Sequence, residues 1–185
     1  MHDLKTMIGS NSISYIWKIL SPYATQRKLK KNEVIIQQGE VSKCLYYVEQ
    51  GCLRSWFNKD GKDVSFQFFL AGSFIASFES FAFDDTSPYI VESILPSSIW
   101  SIPRKALIEQ MNGSHEFNDV IFQLICERLR EYQRLFLSRI KDTPQQRYEE
   151  LMLMHPELIE QIPQHYIASY LGITSVSLSR IRCRK

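Results

Sequence analysis

Residues 162–182 of this chain read IPQHYIASYLGITSVSLSRIR and contain two short helical patterns on either side of one glycine. In the first pattern, Ile167 and Leu171 lie four residues apart, which places them on one face of a helix. In the second, Leu178 and Ile181 share a face in the same way. The segment therefore predicts two short helices that meet at a sharp turn.

The residues at the turn fit this interpretation. Gly172 can adopt the left-handed backbone that such a corner needs, and Thr174 is a good N-cap for the second helix. A helix–turn–helix places its second helix, here residues 174–184, in the major groove of DNA. From Gln161 onward the chain has no acidic residue, and its basic residues are Arg180, Arg182, Arg184 and Lys185. The alternative is an ordinary helical hairpin with a solvated basic tail.

The composition allows one domain or two small ones. The chain has 185 residues, 44% hydrophobic content and a net charge of +2, so only its C-terminal end is locally basic. We expect no signal peptide, because no basic region followed by an apolar one is visible near residue 1, and no membrane span, because no apolar run reaches about eighteen residues. We expect a cytoplasmic protein with reduced cysteines acting as apolar filler and with no metal or cofactor, since Cys44, Cys52, Cys126 and Cys183 lack paired spacing.

The middle of the chain alternates apolar and polar residues with a period of two. A helix is predicted over residues 12–20, and short strands follow it between residues 31 and 102. The predicted strands are Val34–Ile36, Leu45–Val48, Leu53–Phe57, Val64–Phe68, Tyr89–Leu95 and Ser98–Ile102. Asp60 and Gly61 mark a tight hairpin between two of them. Many short strands with glycine at the turns predict a β-roll or barrel.

Helical spacing returns after Pro103 and predicts a long helix over residues 115–141. One apolar stripe on it, with Phe117, Ile121 and Leu124, is expected to pack on the roll. A second stripe has the spacing of a coiled-coil seam and predicts a homodimer interface, formed by Phe122, Ile125, Leu129, Tyr132 and Phe136. The alternative is a single broad buried face.

The predicted fold is α+β, with three parts. Residues 1–114 form an effector or sensor domain, a jelly-roll-like double-stranded β-roll with flanking helices. Residues 115–141 form the dimerisation helix, and residues 142–185 form the helix–turn–helix domain. Leu151, Met152, Leu158 and Ile159 are expected to give the last part its own small core, beyond a hinge at residues 142–144.

With this order of elements the chain resembles the Crp/Fnr family of bacterial transcription regulators. The best local matches in the roll are Gly39 and Glu40, Leu45 and Tyr46, and Gly51. The more specific match is IASYLGI at residues 167–173 with SLSRI at residues 177–181. The resemblance implies a homodimer that binds double-stranded DNA with a palindromic operator and contacts RNA polymerase.

The resemblance also implies roles for residues of the second helix. Ser175, Val176 and Arg180 align with positions that face base edges, and Arg180 is the main expected reader. Thr174, Ser177 and Ser179 would touch phosphate, and Arg182 completes the DNA-binding set. The chain departs from the family at the wing hairpin, which has little room between Met154 and Pro163.

The effector site departs further from the family. Cyclic-nucleotide-binding members use a Gly-Glu pair and a downstream Arg, where this chain has Ala76, Ser77 and Ser87. Without this arginine the site lacks a bidentate, charge-assisted hydrogen bond to the phosphate. Tight binding of cyclic AMP or cyclic GMP is therefore not expected. The pocket would hold an uncharged effector or be filled by its own side chains, and its candidate residues are Phe66, Phe74, Ser77, Ser87, Tyr89, Glu131 and Tyr132.

The sequence argues against an enzyme and against a haem or redox sensor. An enzyme would need paired histidines, a nucleophile triad or a phosphate loop, and the sequence shows none of these. A haem or redox sensor would need an axial histidine or clustered cysteines in the roll. The remaining alternative is a cyclic-nucleotide-binding-like module that binds protein partners without DNA.

Overall fold

A computed structural model describes residues 10–183, which form two four-stranded antiparallel sheets and a set of helices. The strands are β1 (Thr25–Leu29), β2 (Val34–Ile36), β3 (Cys44–Gln50), β4 (Cys52–Lys59), β5 (Lys62–Leu70), β6 (Phe74–Ile75), β7 (Ile90–Ser93) and β8 (Ser97–Pro103). The helices are α1 (Ser10–Leu20), α2 (Phe78–Phe83), α3 (Arg104–Gly113), α4 (His115–Lys141), α5 (Pro144–Met154), α6 (Pro156–Gln161), α7 (Gln164–Leu171) and α8 (Ser175–Cys183).

The sheets have the strand orders β1-β8-β3-β6 and β2-β7-β4-β5. Long crossings between non-consecutive strands make this a roll, as the short predicted strands indicated. The hairpin between β4 and β5 turns at Asp60 and Gly61, both with positive φ, and Lys59 pairs with Lys62. The β-roll and the hairpin predicted from the sequence are therefore confirmed.

Three elements of the roll lie outside the predicted set. Strand β1 has the sequence TQRKL and four of its five residues are exposed, so it lacks an apolar alternation. It lies at the outer edge of its sheet, where charged side chains are common. Strand β6 has only two residues, and α2 begins where Ser77 caps a short turn of helix within the expected pocket segment.

The predicted stripe of α4 packs as expected. Phe117 is fully buried and Ile121 is 7% exposed, and both join a cluster with Ile16 and Leu20 of α1. The hydroxyl of Ser114 accepts a hydrogen bond from the amide of Phe117 and starts the helix. A second cluster lies between the two sheets and includes Leu29, Val48, Leu53, Val91 and Ile99.

The C-terminal helices do not have a core of their own. Leu151 and Leu158 belong to a cluster that also contains Cys52 and Ile94 of the roll. The expectation of a separate small core is wrong, because the outer face of the β4 sheet carries apolar residues that these helices cover. The capping box of Thr143 and Gln146 is present, and it begins α5 directly after α4 ends.

Candidate nucleic-acid interface and effector pocket

The turn between α7 and α8 has the geometry that its sequence predicts. Gly172 has φ of +71°, and the amide of Ile173 donates to the carbonyl of Ala168 at 2.9 Å. These contacts close the end of α7 and send the chain sharply into α8. The hydroxyl of Thr174 accepts a hydrogen bond of 3.1 Å from the amide of Ser177, so Thr174 is the N-cap of α8.

The predicted DNA-binding residues share one exposed side of α8. Leu178 is 1% exposed and points into the core, whereas Val176 is 62% exposed. Ser177 is half-buried next to the cap. The exposed members are Thr174, Ser175, Val176, Ser179, Arg180 and Arg182. Arg184, the last residue of the predicted helix, and Lys185 lie outside the described residues.

Helix α7 covers a fully buried arginine of the roll. Arg54 on β4 is 1% exposed, and its Nε donates to Oε1 of Glu92 on β7 at 2.8 Å. Its other nitrogens reach Ser65 at 2.9 Å and Asp63 at 3.1 Å. The ring of Tyr166 on α7 lies 3.9 Å from the guanidinium carbon. Removing one partner of a buried ion pair typically costs about 3–5 kcal/mol, so this pairing is a strong constraint on the roll.

Two further arginines hold the end of α7. Arg139 on α4 donates to the carbonyl of Tyr170 at 2.7 Å, and Arg147 on α5 donates to the carbonyl of Leu171 at 2.9 Å. Cations at a helix C-terminus stabilise the helix, because they bond to its free carbonyls and interact favourably with its dipole. Helix α7 is thus fixed to the roll, to α4 and to α5 together.

Three residues of the predicted effector pocket, Phe66, Ser87 and Tyr89, contact one another. The rings of Phe66 and Tyr89 meet edge to face with centroids 5.1 Å apart. The Ser87 hydroxyl donates to the carbonyl of Tyr89 at 2.8 Å, and the Tyr89 hydroxyl donates to the carbonyl of Ala76 at 3.3 Å. Burial raises the pKa of Tyr89 to about 12, and the charge of Glu79 adds to this increase. The Tyr89 hydroxyl is therefore neutral at physiological pH.

The other pocket candidates have different partners. Ser77 is 1% exposed and caps α2, and the hydroxyl of Tyr132 donates to Gln67 at 2.8 Å. Glu131 forms an ion pair with Arg128 at 3.2 Å. Phe74 does not join Phe66 and Tyr89. It packs on the ring of Tyr47 in the cluster formed with α1 and α4, because β6 turns it toward the helices.

The second stripe of α4 is uncovered in the single chain. Its members are large apolar residues on a helix whose other face is buried, and their exposed fractions are Phe122 61%, Ile125 49%, Leu129 66%, Tyr132 47% and Phe136 64%. Leu137 and Ile140, at 48% and 68%, extend the same surface toward the end of α4. The alternative of one broad buried face does not describe this helix.

The cysteines divide into two groups, of which Cys44 and Cys52 are the less exposed. Cys52 is 1% exposed and fits the filler role, and burial raises its pKa to about 12. Cys126 and Cys183 are exposed, so the expectation of a filler role is wrong for them.

Within residues 10–183 no His, Cys, Asp and Glu side chains group as a metal site. No helix in that range combines the length and the apolar character needed to cross a bilayer.

The sequence interpretation missed the residues that join α7 to the roll. Arg54 and Glu92 each follow apolar residues in β4 and β7 and pair directly across from each other. Two opposite charges placed next to apolar residues in neighbouring strands are a signal that could have identified this pair. Tyr166, Ser169 and Tyr170 lie on α7 at spacings of three and four beside its core face, which indicates a second contact surface.

Comparison with known proteins supports this description of the roll. Residues 26–114 match the sequence model of the cyclic nucleotide-binding domain. No curated protein matches the sequence. The fold is similar to that of FixK2 from Bradyrhizobium japonicum, with 20% identity, a TM-score of 0.75, and coverage of 87% of this chain and 83% of that chain.

Two further solved structures share the fold. The c-di-GMP responsive global regulator CLP of Xanthomonas campestris has 16% identity, a TM-score of 0.71, and coverage of 92% of this chain and 90% of that chain. The catabolite activator protein of Thermus thermophilus has 17% identity, a TM-score of 0.55, and coverage of 98% and 85%. The roll is therefore similar in sequence to cyclic nucleotide-binding domains, and the chain is similar in fold to these solved structures.

Proposed function

We propose that this chain is a DNA-binding transcription regulator of the Crp/Fnr type, which acts as a homodimer on a palindromic operator. The observation that carries the proposal is the exposed, basic side of α8. Leu178 anchors the helix from below, while Ser175, Ser179 and Arg180 are exposed on a helix without acidic residues. The exposed side of a helix held in this way can face a major groove.

The side chains of α8 divide by the contacts they can make. The planar guanidinium of Arg180 can form two hydrogen bonds with one guanine. Ser175 and Val176 lie on the first turn of the same helix and can also face base edges. Thr174, Ser177 and Ser179 carry hydroxyls that suit phosphate oxygens, and Arg182 adds a phosphate contact. The start of α8 also presents free amide groups toward an anionic backbone.

Dimerisation supplies the second reading helix. The net charge of the chain is only +2, so a single α8 gives a weak electrostatic attraction to DNA. The exposed stripe on α4 from Phe122 to Phe136 is a self-complementary seam of the kind that joins two copies about a two-fold axis. In the proposed arrangement, residues 1–114 form the sensor domain, residues 115–141 form the dimerisation helix, and residues 142–185 form the DNA-binding domain.

The roll is proposed to bind no cyclic AMP or cyclic GMP tightly. Ser77 and Ser87 replace the family's charged residues, and their hydroxyls already bond the protein backbone. No lysine or arginine occurs between Lys62 and Arg104. The rings of Phe66 and Tyr89 pack edge to face in this region, and any effector bound beside them is proposed to be uncharged. RNA polymerase is the proposed partner for regulation.

A salt titration of DNA binding tests the proposal. The protein is mixed with labelled genomic fragments and fluorescence anisotropy is recorded between about 50 and 200 mM salt. A dimer that neutralises 6–10 phosphates should lose affinity by about 10³–10⁵-fold over that range. Weak binding that does not change with salt would support the rival module that binds only protein partners.

A further inference from the structure

The burial of Arg54 depends on α7. Within the roll, Glu92 pairs with Arg54 at 2.7 Å and Trp56 lies 4.8 Å from the guanidinium. These groups leave one face of the guanidinium to be covered from outside the sheet. Tyr166 covers it, with its ring centroid at 3.9 Å. A cation over an aromatic face is attracted most strongly when water is excluded, as it is here.

A second contact joins α7 to the backbone of β5. This strand is the outer strand of its sheet, so its outward amides and carbonyls have no neighbouring strand. The hydroxyl of Ser169 accepts a 2.9 Å bond from the amide of Ser65 and donates a 2.9 Å bond to the carbonyl of Asp63. Residues two apart on a strand direct these groups to the same side, so one hydroxyl takes the place of a paired strand.

The position of α8 follows from that of α7. Leu178 and Ile181 of α8 pack into the cluster that α7 shares with the roll, and the turn at Gly172 is closed by α7. Arg139 of α4 holds the carbonyl end of α7. Any rotation of α7 on the roll would therefore move α8 relative to the dimer helix.

We infer that Arg54, Tyr166 and Ser169 form a clasp between the roll and α7 that sets the separation and tilt of the two α8 helices in the dimer. The inference rests on the proposed DNA-binding function. The three residues are positioning residues, because none of them lies on the exposed side of α8. The clasp makes the protein sensitive to the distance between operator half-sites, since a fixed pair of helices fits only one spacing.

The test changes α7 and leaves the ion pair of the roll intact, because removing Arg54 would leave the buried carboxylate of Glu92 without its partner. The double variant Tyr166→Leu/Ser169→Ala keeps an apolar side chain at position 166 but removes the aromatic face and the Ser169 hydroxyl. Tyr166→Phe retains the face and should behave as wild type. Gln164→Ala, at an exposed position on the same helix, is the control for helix changes.

The first readout is hydrogen exchange without DNA. The double variant should exchange the amides of Ser65 and of α7 about tenfold faster than wild type, while amides of β8 stay unchanged. Tyr166→Phe should retain Ser65 protection at the wild-type rate. Equal protection in wild type and the double variant overturns the clasp, whether or not the protein binds DNA.

The second readout is the spacing preference on DNA. The operator recovered from a random pool is compared with the same operator carrying one or two inserted base pairs between half-sites. Wild type should prefer the parent spacing, whereas the double variant should bind the parent about tenfold more weakly and accept the insertions equally. A variant that weakens on all duplexes but keeps the wild-type preference contradicts the inference. If wild type binds no DNA, the proposed function fails and the exchange experiment alone decides the clasp.

Discussion

The hydroxyl of Tyr132 on α4 donates a hydrogen bond of 2.8 Å to Oε1 of Gln67 on β5. Gln67 is 7% exposed, and it follows Phe66, which packs on Tyr89 in the proposed effector pocket. Tyr132 also belongs to the exposed stripe proposed as the dimer seam. One bond therefore joins the wall of the pocket to the helix that would carry the dimer.

Replacing Tyr132 by phenylalanine should lower the free energy of unfolding by about 1 kcal/mol, because the buried Oε1 of Gln67 loses its donor. Urea unfolding at a fixed protein concentration measures the change. Tyr23→Phe is the control, since the Tyr23 hydroxyl bonds Gln110 at the surface, and its change should stay within about 0.5 kcal/mol. Equal effects of the two substitutions would show that the bond to Gln67 contributes nothing.

Leu129→Glu should abolish self-association, because it places a charge in the middle of the apolar seam. Sedimentation equilibrium at micromolar concentrations should show a dimer for wild type and a monomer for the variant. Phe83→Glu is a matched control, because Phe83 and Leu129 are both 66% exposed and only Leu129 lies on α4. A Leu129→Glu protein that remains dimeric rules out the seam.

Arg180→Ala should weaken binding to the specific operator by about 1–3 kcal/mol and relax the preference at one base pair in each half-site. Anisotropy with operators substituted at each position measures both effects. Lys105→Ala removes the same charge from α3, at a side chain that is 85% exposed, and should leave the base preference unchanged. If Arg180→Ala weakens every sequence uniformly, Arg180 contacts phosphate instead of a base.

Cyclic AMP and cyclic GMP should not bind with micromolar affinity. A buried phosphate needs a cation beside it. The Ser87 hydroxyl is uncharged and already donates its hydrogen bond to the Tyr89 carbonyl, so it cannot replace an arginine. Isothermal calorimetry with each nucleotide measures this directly. Binding at micromolar or tighter affinity would mean that the pocket opens and that another charged residue reaches the phosphate.

The fold was predictable where hydrophobic periodicity carries the information. The roll strands with apolar alternation, the hairpin at Asp60 and Gly61, and the caps at Ser114 and Thr143 all follow from local residue types. Strand β1 was not predictable in this way, because an edge strand can be polar throughout. The exposed side of α8 was predictable from its spacing, since Leu178 alone is fully buried there.

Contacts between distant segments were beyond this kind of reasoning. Arg54 and Tyr166 are 112 positions apart in the printed sequence, and no local pattern connects them. The shared core of Cys52 and Leu151 arises because two surfaces, each apolar only in part, cover each other. The pocket residues were identified by resemblance, and the placement of Phe74 depended on the direction of β6.

We propose that two copies joined along α4 present two α8 helices to one duplex. Selection of bound DNA from a random pool by the purified protein measures this. We expect enrichment of a palindromic sequence whose half-site centres lie one helical turn, about 34 Å, apart. Recovery of a single asymmetric site, or no enrichment at low salt, would rule out this arrangement.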